Sequence, residues 1–152
     1  MLIVASSMRQ LRFGDLSVLY NYNLPQESEF YSYLYDVFFR TKGAVYCVWE
    51  EKCRYVCALR LEPYRDGLIL TGLETHPDFR NMGLASKLVT ESLQWAGRQG
   101  KVKVYSHIHH SNVPSVAVHL RNGFRKIDDI AVLLDGSISS TYGTYLCELI
   151  QP

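Results

Sequence analysis

The residues best suited to chemistry lie in Glu74-Thr-His-Pro-Asp-Phe-Arg-Asn-Met-Gly-Leu-Ala-Ser86, where a β-patterned run meets an Arg-x-x-Gly-x-Ala turn and an amphipathic helix begins. The first N–H groups of a helix have no intrahelical partner, and the aligned peptide dipoles leave partial positive charge there, so the turn can hold phosphate oxygens. Gly83 has no Cβ to keep a ligand from the main chain, and Ala85 adds little more bulk. A second group is His107-Ile-His109-His110, in which strand alternation puts His107 and His109 on one face as a conceivable metal pair. No third ligand has recognisable spacing, so a polar rim is the reading and no metal is expected. A third group is Asn112, Ser115 and His119, which fall on one flank of a short helix at i, i+3 and i+7.

The elements that must position these groups alternate along the chain. Met8 to Phe13 reads as a short strand and Leu16 to Tyr22 as a short helix closed by Pro25. From Glu27 to Arg40, the residues Phe30, Tyr33, Leu34, Val37 and Phe38 form an apolar stripe at helical spacing, with Tyr31 and Tyr35 beside it. Ala44 to Trp49 and Arg54 to Leu61 form a hairpin around Glu50-Glu51-Lys52, and Leu68 to Thr75 is the strand that feeds the turn. The helix after it runs from Leu84 to Arg98, with Leu84, Ala85, Leu88, Val89, Ser92, Trp95 and Ala96 inward and glycines at 97 and 100 as stop signals. Lys101 to Ile108 then pairs parallel to Leu68 to Thr75, because strand, helix and strand with short loops make a right-handed crossover. Asn112 caps a helix that Gly123 ends, with Val113, Val116, Ala117, Leu120 and Phe124 toward the core. Phe124 to Leu134 and Thr141 to Ile150 close the chain as an antiparallel pair.

Composition narrows the partners. Sixteen Lys and Arg against fifteen Asp and Glu leave a net charge of +1 over 152 residues, no field for gripping nucleic acid or an anionic membrane, so any anion must be bound locally. The apolar run Leu2 to Ala5 is far too short for a leader or a membrane span, and a cytoplasmic protein is expected. The four cysteines form no C-x-x-C pair and read as reduced, buried thiols. One domain over 1–152 is expected, with an N-terminal strand and helices in 8–42, a ligand-binding core in 43–124 and the final strand pair in 125–152.

In this order of elements, with Arg80, Gly83 and Ala85 at Q/R-x-x-G-x-G/A positions and Gly123-Phe124 after the last helix, the sequence resembles the GCN5-related N-acetyltransferase (GNAT) family. The resemblance covers Val45 to Phe124 in motif order and the remainder more loosely. It implies an α/β (α+β) fold: a mostly antiparallel twisted sheet with a central splayed parallel pair, flanked by about four helices. It also implies acetyl-CoA as co-substrate, with its pyrophosphate in the loop of Arg80, Asn81, Met82, Gly83, Leu84, Ala85 and Ser86. Pantetheine would lie in the splay along the backbone of Leu73 to Thr75, and Asn112 and Ser115 would meet its arm. About three charge-assisted bonds of roughly 1.5 to 3 kcal/mol each, with up to about 2 from the helix terminus, suffice for micromolar binding.

Amide formation from a thioester needs a neutral amine and a proton for the departing thiolate. Glu74, at the strand end beside the expected thioester, is the candidate base, with His76 a second. His119 stands where many family members carry the tyrosine that protonates the sulfur; an imidazolium near pKa 6.5 is a stronger acid than a phenol near 10, and His119 is a candidate acid or base. The expected partners are acetyl-CoA and a primary amine of a small molecule or peptide, without nucleic acid or membrane; a homodimer is compatible with the sequence but its interface is undefined. Tyr20, Tyr22, Tyr31, Tyr33 and Tyr35, with Glu27, Glu29 and Asp36, could hold a cationic acceptor, although an aromatic helix stripe reads first as core. Alternatives are a non-catalytic acyl-CoA-binding module and a nucleotide-binding domain, the latter without a G-x-x-x-x-G-K-[ST] or G-x-G-x-x-G run to support it.

Overall fold

Val45–Trp49 and Tyr55–Leu59 are apolar at successive positions, as suits strands covered on both faces, and the computed structural model, which describes residues 1–21 and 24–151, shows that arrangement. Strands β1 (Leu2–Ala5), β2 (Val45–Glu51), β3 (Arg54–Tyr64), β4 (Gly67–Thr75), β5 (Lys103–His109), β6 (Arg125–Asp128) and β9 (Tyr142–Glu148) form one sheet in the order β1-β2-β3-β4-β5-β9-β6. A separate ribbon pairs β7 (Ala131–Val132) with β8 (Ile138–Ser139). Helices α3 (Leu84–Arg98) and α4 (Val113–Arg121) cover one face over Cys47, Leu59, Leu70, Val104 and Ile108. Helices α1 (Phe13–Tyr20) and α2 (Leu24–Tyr33) cover the other over Tyr46, Val48 and Ala58, the alternate residues of the same strands. Among the described residues no helix is long and apolar enough to cross a membrane.

The α3 pattern holds as read: Leu88, Val89, Ser92 and Ala96 are fully buried, and a side chain such as Leu88 contributes about 1.5 to 3 kcal/mol. Several expectations fail for reasons of packing. Met8 to Phe13 is not a strand; Met8–Gln10 is a 3-10 turn and α1 starts at Phe13, because the edge of β2 is already taken by Leu2–Ala5. The expected end of that helix at Tyr22 lies outside the described residues. Pro25 does not close α1 but sits in the first turn of α2, where its missing N–H costs nothing. The helix expected to reach Arg40 passes at Leu34–Phe38 into a π-helical turn, with the Phe39 N–H donating to the Leu34 carbonyl at 2.9 Å. Its buried stripe narrows to Phe30, Leu34 and Phe38, and Tyr33 and Val37 are exposed. On α4, Val113 and Leu120 also face solvent while His119 is buried. The last two runs do pair antiparallel, through β6 and β9; β9 also pairs with β5, leaving β6 as an edge strand protected by Arg125, Lys126 and Asp128.

The feature that shapes the site is the junction of β4 and β5. They pair parallel only at Leu68 with Val104, Ile69 with Tyr105 and Leu70 with Ser106, and then diverge. On its other edge β4 stays paired to β3, but Leu59 of β3 faces two residues, Gly72 and Leu73, in a bulge between the Arg60–Thr71 and Ala58–Glu74 pairs. Gly72 has φ of +62°, and a Cβ there would lie 2.7 Å from Cζ of Arg60, itself among the rings of Phe30, Tyr33 and Tyr46. The Gly72 carbonyl accepts the Tyr20 hydroxyl at 2.8 Å, which fixes the bulge from the α1 side. Gly72→Ala should therefore destabilise the protein by roughly 2 to 4 kcal/mol, from backbone strain and the displaced guanidinium, read as a lower urea midpoint.

Candidate active site

The divergence of β4 and β5 opens a cleft of about 280 Å³, lined on the strand side by Leu70, Gly72, Leu73 and Ser106 and on the helix side by Asn112, Ser115 and His119. Beyond Leu70 the edge of β4 that faces β5 has no ladder partner, so the peptide groups between Thr71 and Thr75 that point to that edge and are not already bonded can bond an extended chain laid between the strands. The far end of β4 leads through the 3-10 turn Pro77–Phe79 to Gly83, the N-cap of α3, with φ of +74°. The first bond of that helix joins the Lys87 N–H to the Gly83 carbonyl at 3.1 Å, so the amides of Leu84, Ala85 and Ser86 are left for an outside acceptor. Leu84 and Ala85 turn their side chains into the core while Met82 is exposed, which leaves backbone as the surface of the turn. A Cβ on Gly83 would meet nothing within 4 Å; the space above it is open to a ligand.

Asn122 locks this turn to α4. Its Nδ2 donates to Ser86 Oγ at 3.0 Å and to the Val118 carbonyl at 2.8 Å, and its Oδ1 accepts the Thr90 hydroxyl. Nothing local in the sequence marks Asn122 as the tie between two helices. Arg80 leans back on β4 rather than over the helix terminus, donating to the Thr75 carbonyl and to Glu74 Oε1, both at 3.2 Å. The Glu74 carboxylate thus carries an ion pair at a partly exposed strand end, a contact of about 0 to 1 kcal/mol that a stronger anion can displace from Arg80. Asn81, with φ of +63°, turns the chain between Arg80 and Met82. His76 Nδ1 accepts the Asp78 N–H at 3.1 Å and orders the same turn.

His119 departs most from the polar flank expected of it. It is 1% exposed, with Phe124 edge-on at 4.8 Å. Its Nδ1 lies 2.7 Å from the Ser115 carbonyl, an acceptor only, so Nδ1 carries the proton and Nε2 keeps a lone pair. That lone pair meets Ser106 Oγ at 3.0 Å; Ser106 is 3% exposed and is the last residue of β5 paired to β4. Burial pushes the His119 pKa down, partly offset by the bond to Ser115, which keeps the ring neutral at pH 7. Asn112 Oδ1 accepts the Ser115 N–H at 3.3 Å and caps α4, so both line the cleft with polar atoms already oriented. Ser106 escaped the sequence reading because a lone serine in an apolar strand carries no signal.

A second cavity of about 400 Å³, lined by Ile69, Thr71, His107, Leu133, Leu134 and Asp135, meets the first at Thr71 and His107. Two molecules can thus approach the fork together. His109 Nδ1 accepts the Ser111 N–H at 3.1 Å, and no group of three His, Cys, Asp or Glu converges among the described residues. Three cysteines are buried, with burial raising Cys47 to about 12 and Cys57 to about 11, and only Cys53 departs from expectation by being exposed. Of the tyrosines, Tyr20 is tied to Tyr46 and Gly72, whereas Tyr31, Tyr33 and Tyr35 are exposed rather than core, and Tyr22 lies outside the described residues.

The fold is shared with known proteins. The sequence model of the acetyltransferase (GNAT) family matches residues 7–124. The chain belongs to that family. Its fold superposes on the ribosomal-protein-S18-alanine N-acetyltransferase of Escherichia coli with a TM-score of 0.69 at 13% identity, covering 100% of this chain and 96% of that one. It superposes on a GNAT-family acetyltransferase of Staphylococcus aureus Mu50 with a TM-score of 0.70 at 13% identity, covering 99% and 100%. For the PaiA N-acetyltransferase of Thermoplasma acidophilum, solved in complex with coenzyme A, the TM-score is 0.67 at 11% identity, covering 97% and 99%. No curated protein matches the sequence.

Burial of neutral imidazole makes this GNAT acetyltransferase acid-sensitive in a stated direction. Below about pH 6.5 the unfolded chain protonates His119 while the native chain resists, so the native state is favoured fully above that pH and loses stability as pH falls through the lowered native value. His107, also lowered by burial and then by Arg65, acts in the same sense. Urea midpoints should fall between pH 7.5 and 5.5, and His119→Gln should reduce the fall.

Proposed function

We propose that the protein transfers the acetyl group of acetyl-CoA to a primary amine of a small molecule or peptide by direct attack in a ternary complex. The observation that carries this reading is the continuity of the cleft: the unpaired edge of β4 runs from the fork at Leu70–Ser106 to the free amides of Leu84, Ala85 and Ser86. A pyrophosphate on those amides, with Gly83 beneath it, leaves pantetheine to follow Leu73 to Thr75 and the thioester to reach the fork. Asn112 and Ser115 stand across the cleft from that arm. The acceptor comes through the second cavity, whose apolar walls, Ile69, Leu133 and Leu134, and Asp135 suit an amine on an apolar body. Most primary amines are protonated at neutral pH, so one proton must leave before attack; Glu74 takes it through water once a phosphate engages Arg80.

Calorimetric titration should give a micromolar dissociation constant for acetyl-CoA, weakened at least tenfold in Gly83→Asp, which adds bulk and negative charge where phosphate would sit. Release of free coenzyme A should exceed hydrolysis for at least one of an alkyl polyamine, an arylalkylamine, a lysine-containing peptide or a peptide with a free α-amine. Tight binding with no turnover across all four would leave an acyl-CoA-binding module and overturn the catalytic reading. Unaltered affinity in Gly83→Asp would remove the phosphate from the α3 terminus.

A further inference from the structure

The buried pair at the fork has a proton arrangement that the opposite-charge pair at Glu74 and Arg80 lacks. The only ring proton of His119 is held by the carbonyl of its own helix, so the neutral ring cannot donate directly to a leaving sulfur. Its free lone pair points at one hydroxyl, Ser106 Oγ, and that hydroxyl lies at the last rung of the β4–β5 ladder, on the wall of the cleft. Ser106 Oγ also lies 3.3 Å from the Leu70 carbonyl, a longer alternative acceptor for the one hydroxyl proton, which keeps the oxygen between strand and helix. The titratable groups around the same cavity are His107 and His109 of β5 and Tyr142 of β9. Burial and the Ser115 carbonyl are the two influences on His119 itself among the described residues.

We propose that Ser106 is a catalytic residue that carries the proton of the tetrahedral adduct from nitrogen to sulfur, with His119 behind it as the group that holds the proton in transit. This rests on the acetyl-transfer reading above and adds to it. Attack forms the N–C bond and leaves a positive nitrogen and a negative oxygen on one carbon. The adduct nitrogen gives its proton to Ser106 Oγ as the Ser106 hydroxyl proton passes to His119 Nε2. The oxyanion then re-forms the carbonyl, the C–S bond breaks, and the proton returns from His119 through Ser106 to the thiolate. The proton lost by nitrogen is the one gained by sulfur, so no other acid or base is consumed. Nitrogen and sulfur are bonded to the same carbon, which lets one hydroxyl serve both. Return is downhill, since a thiolate of reference pKa about 8.5 outcompetes imidazole at about 6.5.

The test compares kcat for wild type, Ser106→Ala, His119→Gln and the double variant, at saturating acetyl-CoA with the fastest amine of the four-class panel. Each single variant should lose tenfold or more, toward the 10²-fold or greater effect of general acid–base catalysis, with acetyl-CoA affinity kept within about threefold. The double variant should be no slower than the slower single one, because the two residues act as a unit. An acid limb below about pH 6.5 in the wild-type profile should vanish in His119→Gln. A loss under tenfold in either single variant, multiplying losses in the double, or an unchanged acid limb would overturn the shuttle while leaving acetyl transfer intact. Wild-type inactivity toward every amine would instead remove the reading beneath it. Should a variant fail to fold, nitrogen NMR of the wild-type ring decides: the Nδ1–H tautomer supports the shuttle, and Nε2–H overturns it.

Discussion

The parallel ladder between β4 and β5 ends after three pairs, at Leu70 and Ser106, and the arrangement of the site follows from that break. Strands that diverge leave backbone donors and acceptors without partners, and such groups must meet water or a ligand. On its other edge β4 cannot follow the divergence, because it stays paired to β3 from Cys57–Thr75 to Tyr64–Gly67. The bulge at Gly72 reconciles the two demands: it bends β4 while keeping one ladder. Its cost is a left-handed backbone, supported by the Tyr20 hydroxyl on one side and the packed Arg60 guanidinium beneath.

Around this opening the polar groups are held by the fold. Asn112 caps α4, Asn122 ties α4 to the first turn of α3, and the Ser115 carbonyl fixes the tautomer of His119. The N-terminus of α3 and the imidazole that faces the fork are therefore parts of one hydrogen-bonded unit. Phe124, placed by the reversal at Gly123, closes the apolar side of that unit against the ring. Burial keeps the imidazole neutral, and the neutral form is the one with a lone pair to share.

Much of the frame was legible. The stripe from Leu84 to Ala96 placed α3, and the β-rich runs Ala44 to Trp49 and Arg54 to Leu61 around a charged turn placed the central hairpin, because each pattern is local. The turn from Arg80 to Ser86 was legible for the same reason: glycine at the helix entrance has a local conformational meaning. Leu2–Ala5 was too short to declare itself, and became a strand only because β2 offers it an edge. The Leu34–Phe38 turn was hidden because its residues fit an ordinary helical stripe. His119 was assigned to a polar flank from helical spacing, whereas in the packed fold it is buried and Val113 and Leu120 are exposed.

The sequence by itself determined the family, the helix entrance at Gly83 and the order of elements from the central hairpin to α4, since these depend on backbone conformation and apolar patterning within short windows. Only the tertiary structure decided which groups meet at the fork. Ser106 and His119 are thirteen residues apart on different elements, and their 3.0 Å contact depends on where β5 leaves β4 and how α4 packs over it. Neither residue type announces a pair, and no local spacing encodes one. The protonation of His119 is likewise a tertiary property, because it is set by burial and by a carbonyl whose direction the helix fixes.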